Sequence, residues 1–229
     1  MRDLPFFTTN NGVASLSLSE IPYTRRAYIR LQQASDAEAL LLESVQFCRA
    51  AGAETVYATG HEVCESFPFH TAIVKLCAQV SAIEDTDAAL FPVTEETARQ
   101  WCDIYNSKVI HVPNGAWMTQ GRLKQLLRDG DGYFIHKDDL LLGIGKASFD
   151  TISWVASVAP DAGEHVVKAL CHALSTDVVY MEVATANTKA MLLYERLGFF
   201  SVEELSRWYT VSENNNNCQG KVLDKQKQV

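Results

Sequence analysis

The sequence predicts a mixed α/β fold in which a mostly antiparallel sheet is flanked by helices. Residues 132–160 contain three successive strand-like runs, and a polar turn joins the first two. Residues 150–185 follow the order strand, helix, strand, which places the two strands parallel to each other. Residues 186–200 (ANTKAMLLYERLGFF) begin with a helix-starting Asn187 and end near a helix-stopping Gly198.

The first half of the chain is predicted to be a smaller α/β region. Residues 26–32 and 53–59 have the β-branched and apolar composition of strands. Between them, residues 36–52 carry apolar side chains at helical spacing and end on a glycine. Residues 69–83 are also read as a helix, because their apolar side chains fit a helical period.

The second half begins with two predicted helices, one starting near Thr94 and one over residues 119–130. After the three strand-like runs, residues 162–175 form an amphipathic helix with one apolar face. Residues 177–185 are apolar enough to be a strand in the middle of a sheet. Residues 199–211 are predicted to complete the sheet as one or two strands.

We place a domain boundary near residue 88, where a polar EDTD run interrupts the pattern. The predicted organisation is an N-terminal α/β region (1–88), a main domain (89–211) and a tail (212–229). The tail is polar and low in complexity, which is typical of disorder. Residues 1–20 are likewise predicted to be loosely held.

A weak internal repeat relates the two halves. At an offset of 123 residues, four residues between positions 48 and 57 fall on identical residues of the second half. They are Cys48, Ala50, Val56 and Tyr57, which match Cys171, Ala173, Val179 and Tyr180. Two interpretations stay open: chance identity among small and apolar residues, or a degenerate, partial copy of the second half's strand–helix–strand unit.

The composition is that of a globular protein, with 47% hydrophobic and 21% charged residues and a net charge of -8. An acidic chain lacks the basic face that a phosphate backbone needs, so we expect no nucleic-acid partner. The longest apolar runs are well short of the roughly 20 residues of a membrane span, so we expect no membrane partner. The first residues also lack a signal-peptide layout.

The six cysteines show no CxxC spacing, which predicts reduced, buried thiols in a cytoplasmic protein. His61, Cys64 and His70 lie near one another in the sequence. No second ligand pair completes them, so we expect no metal site.

The most specific stretch is again 186–200, which contains the pattern N-x-x-A-x-x-x-Y-E-x-L-G-F. Its members are Asn187, Ala190, Tyr194, Glu195, Leu197, Gly198 and Phe199. Together with the order of elements over residues 90–211, this motif resembles the GCN5-related N-acetyltransferase (GNAT) superfamily. The resemblance implies a GNAT-like fold, acetyl-CoA as acyl donor, and transfer of an acetyl or other acyl group by direct attack of an amine. That amine belongs to a small molecule or to a protein.

The resemblance also implies roles for individual residues. Asn187 and Tyr194 are expected to bind the cofactor, and they lie on one helix face because seven residues make almost two turns. Tyr194 is further expected to donate its proton to the departing thiolate. A backbone N–H near Val158 or Ala159 is expected to polarise the acyl carbonyl.

The pyrophosphate of CoA is expected at the start of the helix over residues 162–175, where backbone N–H groups are free. The residues implied to hold it are Gly163, Glu164, His165 and Val166. The family has Q/R-x-x-G-x-G/A at this place, whereas this chain has Ala162, His165 and Val167 at the signature positions. Side chains therefore stand where the family favours bare backbone.

Three questions stay open. The candidates for the general base are Asp150, Glu182 and His165. Trp154 lines either an acceptor pocket or the core. Residues 1–88 either complete the cleft or mediate self-association, as in a homodimer.

Two functions from different classes follow. One is an acetyl-CoA-dependent N-acyltransferase, which the intact 186–200 motif favours. The other is a non-catalytic GNAT-like protein that binds a ligand or partner through the same cleft, which the altered pyrophosphate loop favours.

Overall fold

The computed structural model describes residues 5–213. These residues form two compact units. Unit 1 comprises the described residues up to Phe69 and those from Tyr209 onward, and unit 2 comprises His70–Trp208. The chain thus divides at two places, neither of which is the boundary predicted near residue 88. No helix of the described part is long and apolar enough to cross a membrane.

Both halves of the chain contain strands and helices. In the first half they are β1 (Phe6–Thr9), β2 (Gly12–Ser17), α1 (Ile21–Thr24), β3 (Arg26–Ala34), α2 (Ala37–Ala50), β4 (Thr55–Thr59) and β5 (Phe69–Gln79). In the second half they are β6 (Ala89–Pro92), α3 (Ala98–Val109), α4 (Gln120–Asp129), β7 (Gly132–Lys137), β8 (Leu140–Ser148), β9 (Thr151–Ser157), α5 (Gly163–His172), β10 (Val178–Ala184), α6 (Thr188–Arg196) and β11 (Phe200–Glu213).

The strands of unit 1 lie in the order β1-β2-β3-β4-β11, and those of unit 2 in the order β5-β10-β9-β8-β7-β6. Neighbouring strands with a described register are antiparallel, except for the parallel pairs β3–β4 and β9–β10. This confirms the predicted α/β class and the predicted parallel pair in residues 150–185. The β7–β8 turn is also where the sequence predicts it, and Asp138 and Asp139 take the positive φ angles of a tight hairpin.

The register of the two parallel pairs supports the internal repeat. Tyr28 of β3 lies opposite Tyr57 of β4. Thr151 of β9 lies opposite Tyr180 of β10. The same offset of 123 residues relates both pairs, and one helix (α2 or α5) connects the strands in each. The two βαβ units therefore share one register and one type of connection, as a partial, degenerate copy would.

Each βαβ unit is extended by a strand from the other half of the sequence. β5 lies antiparallel to β10, from Gln79 opposite Val178 to Ile73 opposite Ala184. In unit 1, the end of β11 lies antiparallel to β4. The helix predicted over residues 69–83 is therefore wrong. This run contains the β-branched Thr71, Ile73 and Val74, and its long-range partner β10, rather than local spacing, decides its conformation.

Residues 5–20 are also more ordered than the sequence predicts, and residues 1–4 lie outside the described residues. β1 and β2 form a hairpin, and β2 pairs with β3. Ala14 and Leu16 of β2 are 0% and 1% exposed. Burial of these side chains fixes a segment that is too short to look structured on its own. Of the predicted tail, residues 212 and 213 end β11, and the rest lies outside the described residues.

The sheet of unit 2 is covered on both faces. Phe134 and Ile135 are consecutive in β7, so they point to opposite faces. Ile135 packs in an apolar cluster with α5, and Phe134 packs in one with α3 and α4. The α5 side also receives partly buried residues of α6. The helix that carries the sequence motif therefore lies on the α5 side of the sheet.

Close packing between β8 and α5 gives a first prediction. A Cβ atom at Gly143 would lie 2.5 Å from the Ala156 carbonyl oxygen and 2.6 Å from Val166 Cγ2. Gly143→Ala is expected to lower the free energy of unfolding by about 1–3 kcal/mol, since backbone atoms have to move. Gly121→Ala is the control, because its nearest neighbour would be 3.9 Å away. Urea unfolding of both variants checks this, and a Gly143→Ala loss below about 0.5 kcal/mol would contradict it.

Candidate functional site

The parallel pairing of β9 and β10 stops after one position. Thr151 lies opposite Tyr180, and the Tyr180 N–H donates to the Asp150 carbonyl at 2.8 Å. Beyond that point β9 pairs with β8, and β10 pairs with β5, but the ladder between β9 and β10 does not continue. We call the facing backbone edges of residues 152–157 and 181–184 the β9–β10 opening.

The equivalent strands of unit 1 are closed. β3 and β4 stay paired from Arg26 opposite Thr55 to Arg30 opposite Thr59. The opening is therefore a feature of the βαβ unit of unit 2 and is absent from that of unit 1. Because N–H directions alternate along a strand, the Glu182 N–H points to the same side as the Tyr180 N–H, into the opening.

An irregularity in β9 accompanies the opening. Trp154 has φ 51°, which is unusual for a bulky side chain, and the β8–β9 register shifts beside it. The ring of Trp154 packs 6.4 Å from Trp101 and 6.3 Å from Tyr105. These contacts pack the partly buried Trp154 against the core of the α3–α4 face, which is the second of the two locations that the sequence left open.

The start of α5 follows β9 closely and carries free donors. Its N-cap, Ala162, offers no side-chain hydrogen bond. Among the described residues, the N–H groups of Gly163, Glu164 and His165 donate to no protein acceptor, as expected of a first helical turn. Leu193 of α6 covers part of this turn, because a Cβ atom at Gly163 would meet Leu193 Cδ2 at 2.9 Å.

The side chains of this turn point to protein partners. Glu164 forms an ion pair of 3.2 Å with Arg196 at the end of α6. His165 Nδ1 lies 3.0 Å from the hydroxyl of Thr86. Val166 is fully buried in the core. The turn therefore offers backbone N–H groups to an anion, with one carboxylate beside them that an arginine partly neutralises.

The amides predicted to polarise an acyl carbonyl are engaged in the fold. The N–H groups of Val158 and Ala159 both donate to the Leu142 carbonyl, at 2.8 and 3.3 Å. For either amide to polarise an acyl carbonyl, its hydrogen bond to the Leu142 carbonyl has to break. The longer bond, from Ala159, is the weaker of the two.

The start of α6 matches the sequence prediction. The Asn187 side-chain oxygen accepts from the Ala190 N–H at 3.4 Å, and the Met191 N–H donates to the Asn187 carbonyl at 3.0 Å. Asn187 is therefore the N-cap. Gly198 follows α6 with φ 88°, the left-handed conformation that ends a helix.

Sequence reasoning missed a pair of threonines beside this cap. Thr71 of β5 is fully buried, and its hydroxyl accepts from the Ala186 N–H at 3.1 Å. The same hydroxyl lies 3.3 Å from the hydroxyl of Thr185, which accepts from the Ala72 N–H at 3.1 Å. We call these four residues the β5–α6 corner. No local signal predicts this corner, because Thr71 lies in a run whose apolar spacing predicts a helix.

Tyr194 lies half-buried against the α5-side core, with its ring 5.9 Å from Phe199. Burial raises the pKa of Tyr194 to about 12, and the Cys171 thiol acts in the same direction. The phenol therefore keeps its proton throughout the neutral range. It is therefore available as a hydrogen-bond donor in that range.

The three candidate bases lie in different environments. The Asp150 carboxylate accepts from the Thr151 hydroxyl at 2.9 Å, and His165 contacts Thr86. Glu182 is exposed on β10 at the opening. Its register partner Lys75 places the ammonium group 4.3 Å from the Tyr180 ring centre instead of pairing with Glu182. In the described part of the chain, Glu182 has no ion-pair partner.

The cysteines of the described range are unsuited to nucleophilic roles. The five within the described range are all buried and free: Cys48, Cys64, Cys77, Cys102 and Cys171. Burial raises the pKa of Cys48 and Cys171 to about 12 and that of Cys64 to about 11. Within residues 5–213, no three His, Cys, Asp or Glu side chains are grouped as metal ligands.

Comparisons with known proteins bear on the fold. No protein-family model matches the sequence, and no curated protein matches it either. Several solved structures are similar. A functionally unknown conserved protein from Staphylococcus epidermidis has a TM-score of 0.57 at 9% identity, covering 92% of this chain and 94% of its own.

Two similar structures are described as acetyltransferases. A GCN5-related N-acetyltransferase from Sphaerobacter thermophilus has a TM-score of 0.52 at 14% identity, covering 86% of this chain and 75% of its own. An acetyltransferase of the GNAT family from Colwellia psychrerythraea has a TM-score of 0.51 at 13% identity, covering 90% and 84%. At these identities the likeness concerns the fold. The GNAT-like fold that the 186–200 motif predicts is confirmed.

Proposed function

We propose that this protein is an acyl-CoA-dependent N-acyltransferase. Acetyl-CoA is the donor, and the acceptor is a primary amine of a small molecule or a protein. The observation that carries the proposal is the β9–β10 opening, at a place where the equivalent strands of unit 1 stay paired. Unpaired strand backbone is stabilised when a ligand supplies hydrogen bonds. The pantetheine arm of CoA is extended and contains two amides, which suits such an edge.

The β9–β10 opening suits the pantetheine arm of a CoA thioester, whereas the start of α5 suits its phosphates less well. Gly163, Glu164 and His165 present N–H groups to an anion at the start of α5. Leu193 narrows that end, and a change in its rotamer would widen it. The Glu164 carboxylate opposes a phosphate, but its ion pair with Arg196 reduces that repulsion.

The reaction class follows from the donor and the acceptor. A thioester supplies an activated acyl carbon; the neutral amine forms the new C–N bond while the C–S bond breaks and the sulfur leaves as thiolate. The surplus proton of the amine goes to a base, and Glu182 is the exposed carboxylate at the opening. Tyr194 is proposed to hydrogen-bond the departing sulfur, and Asn187 to bind the cofactor at the start of α6.

The test is amine-dependent thiol release by the full-length chain. Acetyl-CoA is incubated with a panel of small polyamines, monoamines and peptides with free amino groups, and free thiol is followed with time. We expect release that requires both acetyl-CoA and an amine, and that Glu182→Gln slows. Thiol release that no amine in the panel accelerates would contradict the enzyme proposal.

A second candidate function has its own support. Two observations favour a protein that binds its ligand without turnover. The N–H groups of Val158 and Ala159 both donate to the Leu142 carbonyl, and Leu193 covers Gly163. Acetyl-CoA binding with no thiol release, unchanged by Tyr194→Phe, would identify this non-catalytic role.

A further inference from the structure

We infer that Thr71 is a positioning residue for the acyl-CoA site, acting through the β5–α6 corner. The inference rests on the proposed function for its effect on ligand binding. Thr71 belongs to the first half of the sequence, yet its hydroxyl contacts the two residues that precede the N-cap of α6. The first half thereby contributes to the geometry of a site whose motif lies entirely in the second half.

The hydrogen bonds of the β5–α6 corner fix the positions of its four residues relative to one another. The Thr71 hydroxyl accepts from the Ala186 N–H at 3.1 Å, and its one proton is directed to Thr185 or to the Ala72 carbonyl. The Thr185 N–H donates to the Ala72 carbonyl at 2.9 Å, and the Thr185 hydroxyl accepts from the Ala72 N–H. Thr71 and Ala72 of β5 therefore form hydrogen bonds with both Thr185 and Ala186.

The corner leads directly into the N-cap. The Asn187 N–H donates to the Ala184 carbonyl at 2.9 Å, and Asn187 then caps α6 through Ala190. The chain between the end of β10 and the first turn of α6 is thus held at Ala184, at the corner and at Asn187. Because α6 is short, its first turn sets the direction of the whole helix, including Tyr194.

Position 71 requires a hydroxyl rather than a particular shape. A valine has the shape of threonine but removes the acceptor of the Ala186 N–H and one of the two hydrogen-bond partners of the Thr185 hydroxyl. A serine keeps the hydroxyl and loses only a methyl group. The two substitutions therefore separate hydrogen bonding from packing.

The experiment measures acetyl-CoA binding by calorimetry, and amide exchange at residues 186–191, in the full-length chain. We expect Thr71→Val to weaken binding about tenfold and to speed exchange in this segment, while Thr71→Ser stays within about threefold of the wild type. Thr59→Val is the matched control, a threonine of β4 that is 4% exposed and lies outside the corner. It should leave binding and exchange at 186–191 unchanged.

Other results would overturn the inference. One is wild-type-like binding by Thr71→Val, and another is equal losses in the valine and serine variants. Equal losses in Thr71→Val and Thr59→Val would indicate general destabilisation instead of positioning. If the wild type binds no acetyl-CoA, the proposed function fails, and exchange alone decides. Faster exchange in Thr71→Val but not in Thr71→Ser then supports the corner, and unchanged exchange refutes it.

Discussion

Replacing Trp101 with alanine is expected to lower the free energy of unfolding by about 3–5 kcal/mol. Trp101 is 0% exposed and is among the largest fully buried side chains of the described residues. Its ring stacks on Tyr105 at 5.5 Å and meets the edge of Trp154. Its Nε1–H donates to the Tyr133 carbonyl at 3.1 Å, so the substitution also leaves a carbonyl without its partner.

The loss should reach the candidate site, because Trp101 and Tyr105 hold the ring of Trp154 at its unusual backbone angle. Trp101→Phe keeps a ring but loses the N–H donor, so an intermediate loss is expected. Leu192→Ala is the control for truncating an apolar side chain, because Leu192 of α6 is 59% exposed. It should lower the free energy of unfolding by less than about 0.5 kcal/mol. Urea unfolding checks the series; a Trp101→Ala loss below about 1 kcal/mol would show that the aromatic cluster does not support unit 2.

Tyr194→Phe is expected to lower kcat by about 100-fold and to change the acetyl-CoA dissociation constant by less than about threefold. The variant keeps the ring that packs near Phe199 and removes only the hydroxyl. A thiolate with a pKa near 8.5 leaves without full protonation, so the effect should be at the low end for a general acid, which contributes about 10²–10⁴.

The pH dependence of kcat distinguishes a tyrosine that donates a hydrogen bond, which is the role proposed for Tyr194, from a group that titrates. Burial holds the pKa of Tyr194 at about 12, so its hydroxyl stays protonated as the pH rises from 7 to 10. Its contribution to kcat should therefore be constant over that range, and the ratio of wild-type to variant kcat should not change. A kcat within threefold of wild type, together with lower stability, would assign Tyr194 to packing alone.

Local signals made residues 186–200 predictable. Asn187 caps through its own side chain, and Gly198 ends the helix through its own backbone angle, so neither depends on distant residues. The same holds for α2, which Asp36 caps through its own side chain, and for the hairpin turn at Asp138 and Asp139.

Long-range pairing explains what the sequence did not reveal. β5 fits a helical period, but its conformation follows from β10, which is about 100 residues away in the chain. The assignment of Thr71 to a helix concealed the β5–α6 corner. The directions of the Val158 and Ala159 amides depend in turn on the Leu142 carbonyl in β8. The internal repeat was only partly visible in the sequence, as four identities at one offset. The common register of the β3–β4 and β9–β10 pairs supports it.

We propose that the β9–β10 opening and the start of α5 together bind a CoA thioester, and calorimetric titration of the 229-residue protein with acetyl-CoA, free CoA and pantetheine measures this binding. We expect micromolar dissociation constants for acetyl-CoA and CoA. Binding of pantetheine should be at least about 100-fold weaker, because it lacks the phosphates that the α5 amides would hold. If neither acetyl-CoA nor CoA binds at millimolar concentration, this site does not bind a CoA thioester.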